Sequence, residues 1–188
     1  MKLYCLEIRG LSGAEPPAGG RSGGAGSAWA WALLRFGARE CWGMDVLPRV
    51  AGERWEKPCF PERPDCCFSL SHTSTHVLAL LSDTPVGADI EALRAPPERL
   101  LRTATDEELS AFGFFGLWTL RESVYKLTGR GDLRSMGFSL REGQIVPPFA
   151  GVRCRLYGDV PGCAVAAACG AGELPERVIM VDAAEIRS

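Results

Sequence analysis

Asp89 and Glu91 stand two apart in Val86-Gly87-Ala88-Asp89-Ile90-Glu91, a run whose composition reads as a strand. Side chains two apart on a strand leave the same face. Two carboxylates side by side repel unless a cation or protons intervene. Their neighbours Val86, Ala88 and Ile90 read as core, so the pair is not a solvated charge run. A hard divalent cation is the economical partner, and Mg²⁺ takes a few carboxylates together with substrate phosphates. A third acid lies in Trp118-Thr119-Leu120-Arg121-Glu122-Ser123-Val124-Tyr125-Lys126, where Trp118, Glu122 and Lys126 are four apart and share a helix face. An ordinary exposed Glu–Lys pair sits among polar neighbours. Trp118, Leu120, Val124 and Leu127 instead make this segment largely apolar, which suggests a site. Ser71-His72 follows a strand and precedes a turn, a place where side chains point to a ligand crevice.

Other chemistries are argued against by what is missing. There is no G-x-S-x-G elbow for a serine hydrolase, and neither a P-loop nor a dinucleotide glycine fingerprint. The eight cysteines form no C-x-x-C pair and only two histidines accompany them, so they read as small buried thiols of a reducing compartment. With 21 Lys+Arg against 23 Asp+Glu, no global field gathers nucleic acid or an anionic membrane, and neither is expected as a partner. No stretch approaches the roughly 20 apolar residues of a membrane span. The apolar run 28–36 is broken by Arg35 and lacks signal-peptide flanks, so a cytoplasmic protein is expected.

The elements that must position these residues follow from pattern. Residues 2–8 alternate loosely as a strand, and 10–27 hold nine glycines or prolines and read as a loop. Trp29, Leu33, Leu34 and Phe36 recur at helical spacing in a helix from Ser27 to Trp42. Residues 48–67, punctuated by four prolines, wind. Strands are expected at 67–72, 77–81 and 86–91, followed by a helix beginning near Thr105 and a strongly amphipathic one from Phe114 to Leu127, stopped by Gly129 and Gly131. Further strands are expected at 135–141, 151–157, 162–169 and 177–182. No internal repeat is visible residue by residue. The order points to an α+β chain.

Together these pieces resemble the surfactin-type phosphopantetheinyl transferase family. Phe68-Ser69-Leu70-Ser71-His72-Thr73 is similar to its serine-histidine strand, and Val86 to Glu91 to its glycine-x-aspartate-x-glutamate strand. Phe115 to Lys126 is similar to its helix of tryptophan, lysine-glutamate and terminal lysine, and Thr128-Gly129-Arg130-Gly131 after it is typical. The similarity runs from about Lys57 to the C-terminus.

The resemblance implies the 4'-phosphopantetheinyl transferase fold, a pseudo-dimer of two similar α/β halves in one chain, with coenzyme A and Mg²⁺ between them. Residues 1–84 would be the N-terminal half, contacting the coenzyme A nucleotide, and 85–188 the C-terminal half, with metal and catalytic residues. Asp89, Glu91 and Glu122 would hold Mg²⁺ against the pyrophosphate, and Lys126 would stabilise charge on the phosphates or leaving group. Ser71 and His72 belong to the coenzyme A contacts, His72 at a phosphate, and Lys57-Pro58 matches a segment over the adenine nucleotide. Glu108 aligns with the acid proposed as general base, with Glu107 one slip away. The hydroxyl of a serine on an acyl or peptidyl carrier protein would attack the β-phosphate and expel adenosine 3',5'-bisphosphate. Fatty-acid, polyketide and non-ribosomal peptide carriers stay open, with a lean towards secondary metabolism. A monomer is expected because both halves lie in one chain.

Two departures from the family pattern stand out. Arg121 occupies the usual lysine position, so a phosphate contact there would survive only with altered geometry. The basic N-terminal segment that grips coenzyme A is shortened to Gly19-Gly20-Arg21-Ser22-Gly23-Gly24, leaving Arg21 as the candidate phosphate contact. Two rival readings follow: a degenerate relative that binds coenzyme A or a carrier without catalysis, and an unrelated Mg²⁺-dependent nucleotide hydrolase.

Overall fold

The computed structural model describes residues 1–11, 24–52 and 56–187. In chain order the elements are β1 (Lys2–Glu7), α1 (Gly24–Trp42), β2 (Cys67–His72), β3 (His76–Ser82), β4 (Val86–Ala92), α2 (Glu98–Leu101), α3 (Asp106–Thr128), β5 (Ser139–Arg141), β6 (Gln144–Val146), β7 (Arg153–Tyr157), β8 (Cys163–Cys169), β9 (Ile179–Met180) and α4 (Ala183–Arg187). This is a mixed α+β fold. One sheet runs β2-β3-β1-β9 and a second runs β4-β8-β7, with β5 and β6 forming a separate hairpin.

Period-two alternation builds the layers. Along β1 and β3, Tyr4, Leu6, Val77, Ala79 and Leu81 pack against α1 through Trp29, Leu33 and Leu34. Their alternates Leu3, Cys5, Leu78 and Leu80 face the second sheet and meet Val86, Ala88, Ile90, Val165 and Ala167. The far face of β8, Ala166 and Ala168, packs under Leu117, Leu120 and Val124 of α3. The stack is therefore helix, sheet, sheet, helix. Because Val86, Ala88 and Ile90 point into the middle layer, Gly87, Asp89 and Glu91 must point towards α3. Gly87 marks how close that helix lies: a Cβ there would stand 1.9 Å from the Ser123 carbonyl oxygen. Only glycine lets α3 settle onto β4 at this point.

Helix α3 is bent by design of its sequence. Thr105 caps it, its hydroxyl accepting the Glu108 N–H while the Glu108 carboxylate accepts the Thr105 N–H, a reciprocal capping box. At Gly113 the backbone takes φ 63, ψ 166, a region open essentially to glycine alone, and the helix kinks. It ends at Gly129 in the left-handed conformation.

Several expectations need correction. Helix α1 begins at Gly24, three residues before Ser27. The strand expected over 135–141 is only Ser139–Arg141. Met136 and Phe138 do alternate inward, but their backbone groups find side chains in place of a ladder: the Phe138 N–H donates to Glu108 and the Met136 carbonyl accepts from Arg121. The strand expected over 177–182 shrinks to Ile179–Met180, since the Val178 N–H turns to Asp159. The helical half expected to open at Pro96-Pro97 begins with the short α2, whereas strand β6 and helix α4 were not anticipated; β6 follows a turn at Glu142 and Gly143, both with positive φ. The reading of the cysteines as buried thiols holds for Cys5, Cys66, Cys163 and Cys169, whereas Cys59 is exposed. No helix among the described residues is long and apolar enough to cross a membrane.

Candidate functional site

The site lies where β2, β4 and α3 meet. Strand β4 is an edge of its sheet, and β2 closes against it through side chains. Ser69, buried, accepts the Ala88 N–H at 2.9 Å. Ser71, two residues on and therefore on the same face, donates its hydroxyl to Asp89 Oδ1 at 2.6 Å. From above, Lys126 Nζ donates to the same Oδ1 at 2.7 Å and to the Ala88 carbonyl at 3.2 Å. The other oxygen, Asp89 Oδ2, is buried and has no hydrogen-bond partner among the described residues.

Glu91 and Glu122 complete the acidic group. Glu91 Oε2 is 3.2 Å from Arg94 Nη1, and the Arg94 guanidinium also lies over the Phe115 ring, 5.0 Å from its centroid. Glu122, one helical turn before Lys126, is half-buried. Burial raises its pKa above the ordinary carboxylate value, and the neighbouring charges of Asp89 and Glu91 add to the rise while Lys126 opposes it. The action of Asp89 and Glu91 on Glu122 is the electrostatic sign of a shared site.

Among the described residues, no three His, Cys, Asp or Glu side chains already stand together as a group that could hold a metal ion. The donor chemistry nevertheless fits Mg²⁺. All three candidate ligands offer oxygen, and Asp89 Oδ2 is an orphaned buried acceptor. A closed protein cage is not what Mg²⁺ requires, because it keeps waters and takes one or two carboxylates plus substrate phosphates.

Two adjoining clefts open beside this group. One, of about 580 Å³, is lined by Lys57, Pro58, Leu70, Tyr125, Lys126 and Gly129 among others. The second, about 310 Å³, shares Lys57, Pro58, Phe68 and Leu127 with the first and extends to Phe60, Arg63 and Cys66. The expected nucleotide segment Lys57-Pro58 is thus brought together with Lys126. The Lys57 stem is exposed, yet its ammonium turns inward to donate to the Val86 carbonyl, and burial of that head lowers its pKa to about 8.

Other expected residues go elsewhere. His72 lies on the opposite face of β2 from Ser71, against the first turn of α1, where a Cβ on Gly26 would meet its Nδ1 at 2.8 Å. It lines a separate cleft of about 640 Å³ with Arg9, Gly10, Thr73 and Ser74. Ser71, expected at the cofactor, spends its hydroxyl proton on Asp89. Arg21 falls outside the described residues. Arg121 is buried and cannot meet a phosphate as expected; its Nε donates to the Met136 carbonyl at 2.8 Å and its Nη2 to the Thr103 carbonyl at 2.9 Å and to Glu108 at 3.3 Å. Glu108 is buried too, with both carboxylate oxygens occupied by the Thr105 and Phe138 N–H groups and by Arg121. Glu107 is exposed beside it. A further cleft, about 750 Å³, lies against β7 and the β5–β6 hairpin and includes none of the candidate site residues.

Sequence reasoning missed Ser69 and Arg94. Ser69 carried a weak signal, a serine two before Ser71 in a strand otherwise apolar on both sides. Arg94, three residues after Glu91 in a loop, carried none.

No protein-family model matches the chain. Curated relatives do. It is 28% identical over 157 residues to the 4'-phosphopantetheinyl transferase Sfp of Bacillus subtilis (strain 168), covering 73% of this chain and 70% of that protein. It is also 28% identical over 154 residues to 4'-phosphopantetheinyl transferase ffp of Bacillus subtilis, covering 71% and 68%. Against 4'-phosphopantetheinyl transferase psf-1 of Bacillus pumilus the identity is 36% over 87 residues, 40% of this chain and 37% of that one. The resemblance to the surfactin-type transferases thus extends well beyond the three blocks that first carried it.

Proposed function

We propose that this relative of the surfactin-type transferases is itself a Mg²⁺-dependent 4'-phosphopantetheinyl transferase, moving the phosphopantetheine arm of coenzyme A to a serine of an acyl or peptidyl carrier protein. The observation that carries the reading is the Lys126–Asp89 contact beside the Lys57-Pro58 cleft, with Glu122 near enough to feel both charges and one Asp89 oxygen buried and unpartnered among the described residues. Two element series of the same order support a duplicated architecture with a boundary near residue 84. β1, α1, β2 and β3 precede it and β4, α3, β7 and β8 follow, giving strand orders β2-β3-β1 and β7-β8-β4. We read the protein as a monomer on the same basis, both halves being present in one chain, and as cytoplasmic because its cysteines read as thiols of a reducing compartment.

Asp89, Glu91 and Glu122 would hold the cation. Bound Mg²⁺ supplies charge neutralisation on the pyrophosphate, the main demand of phosphoryl transfer. The remaining work falls to the chain. Lys57 and Pro58 line the nucleotide cleft, and Lys126, whose ammonium rests on Asp89 and the Ala88 carbonyl, is within the same cleft to donate to the phosphates. His72, at the start of α1, suits the terminal ribose phosphate, because a helix N-terminus favours anions. The carrier serine hydroxyl attacks the β-phosphate, and adenosine 3',5'-bisphosphate leaves. Glu108 is poorly suited to take the serine proton, since each of its oxygens already accepts a hydrogen bond. Glu107, exposed one residue away, is the carboxylate left to accept it.

Purified protein incubated with coenzyme A, Mg²⁺ and a panel of apo carrier proteins tests the reading by intact-mass spectrometry of each carrier. The expected result is a phosphopantetheine-sized gain that disappears with EDTA and in Asp89→Asn. Coenzyme A binding without gain on any carrier would favour the non-catalytic relative. Turnover of coenzyme A without a carrier would favour the hydrolase.

Lys57 gives this reading a pH signature. Its lowered pKa means that the charged form prevails below about pH 8 and is lost above it. Affinity for coenzyme A, measured by calorimetry, should begin to fall as pH rises through about 8. In Lys57→Arg, which stays charged, that fall should be absent.

A further inference from the structure

The two oxygens of Asp89 are treated unequally. Ser71 and Lys126 both donate to Oδ1, at 2.6 and 2.7 Å, while Oδ2 is buried without a donor. An unpartnered buried carboxylate oxygen is costly to a fold, and native structures keep one where a ligand is meant to meet it. Of the two donors, Lys126 has a long flexible stem and is the group that the proposed transfer needs on the phosphates. Ser71, on a short side chain, is the donor whose position its strand fixes whether or not those phosphates are present.

Ser71 is well placed for that duty. Its strand is pinned to β4 one step away, where Ser69 accepts the Ala88 N–H at 2.9 Å, so the hydroxyl sits on a rigid element facing Asp89. A serine hydroxyl has one proton to give, and at 2.6 Å from Asp89 it is given. What it then presents to a phosphate is lone pairs, which repel an anion. Ser71 is therefore better suited to the carboxylate than to coenzyme A.

We infer that Ser71 is a positioning residue: it fixes the rotation of the Asp89 carboxylate so that Oδ2 is the oxygen presented to the divalent cation. The inference rests on the proposed function in needing Asp89 to be a cation ligand. It differs from the cofactor-contact role expected for Ser71, and it assigns Ser71 to the shell of groups that orient a ligand, whose loss typically weakens metal affinity about 10–100-fold.

The test is direct titration of the full chain with Mn²⁺, followed by the electron paramagnetic resonance signal of the free ion, with no coenzyme A or carrier present. Ser71→Val and Ser71→Thr have nearly the same shape and differ in the hydroxyl, so a packing effect moves both and a positioning effect moves only the first. Ser71→Val should weaken Mn²⁺ binding about tenfold or more. Ser71→Thr should stay near wild type, and Asp89→Asn should remove the site. Wild-type affinity in Ser71→Val, with binding still lost in Asp89→Asn, overturns the role of Ser71 and leaves the transferase reading standing. Equal weakening in Ser71→Val and Ser71→Thr also overturns it, as a packing effect. A wild-type protein that binds no Mn²⁺ overturns both the metal site and this inference.

Discussion

Glu122→Gln should abolish transfer to the carrier and, in the presence of EDTA, leave a protein more stable than the wild type. Glu122 is half-buried in the face of α3 that overlies Asp89 and Glu91, and burial, then the charge of Asp89, raises its pKa. An ionised Glu122 is therefore worse off in the folded chain than in the unfolded one. Replacing it with a neutral side chain of the same shape removes that penalty. The gain is expected to be on the order of 0.5–2 kcal/mol, the range of single stabilising substitutions. The measurement is urea denaturation of both proteins at pH 7 with EDTA, beside the carrier mass assay.

The pH dependence has a definite sign. A carboxyl whose folded pKa lies above its unfolded value binds its proton more readily when folded, so its destabilising effect is complete well above the folded pKa. It fades as pH falls through that pKa towards the unfolded value, about 4.3 for glutamate. The stability advantage of Glu122→Gln should shrink over this window, because the wild type becomes neutral at the same position. Mg²⁺ should act unequally on the two proteins at pH 7, stabilising the wild type by mass action and the variant much less. A variant less stable than wild type at pH 7 in EDTA would mean that the carboxylate serves the fold, and would remove Glu122 from the metal site.

Periodicity explains which parts of the site were legible. The two-residue spacing of Asp89 and Glu91 on an otherwise buried strand, and the four-residue spacing of Trp118, Glu122 and Lys126, each put side chains on one face. The structure brings those faces together because Val86, Ala88 and Ile90 must be buried on the other side of β4. What remained illegible depends on contacts between elements far apart in sequence. Ser71 and His72 are neighbours in the chain and were read as one crevice, yet alternation along β2 sends one to Asp89 and the other to the start of α1. Likewise, hydrophobic alternation over 135–141 implied a strand, but whether a strand pairs depends on what stands beside it. Here Glu108 and Arg121 do, and they satisfy the backbone instead.

That substitution makes Glu108 and Arg121 the costliest pair to break. The T-x-x-E spacing of Thr105 and Glu108 already announces a capping box; the partner thirteen residues on, reached across the Gly113 kink, has no sequence signal. Both side chains are almost wholly enclosed, Arg121 2% and Glu108 8% exposed, so neither charge has water to fall back on. Removing one partner of a buried pair leaves the other uncompensated and costs about 3–5 kcal/mol. For a chain of this length that corresponds to a fall in Tm on the order of 10 °C. Glu108→Ala should show it by thermal unfolding, and Glu108→Gln should suffer nearly as much, because its amide NH₂ would confront an N–H donor on one side. The double variant Glu108→Met with Arg121→Leu removes both charges and should recover part of the loss, since apolar replacements of a whole buried pair are often tolerated. Activity of that double variant separates the two roles open to Glu108. As a positioning residue it can be replaced together with its partner, and the refolded protein should still modify a carrier. As the general base it cannot, and a stable but inactive double variant would return the proton transfer to Glu108 and take it from Glu107.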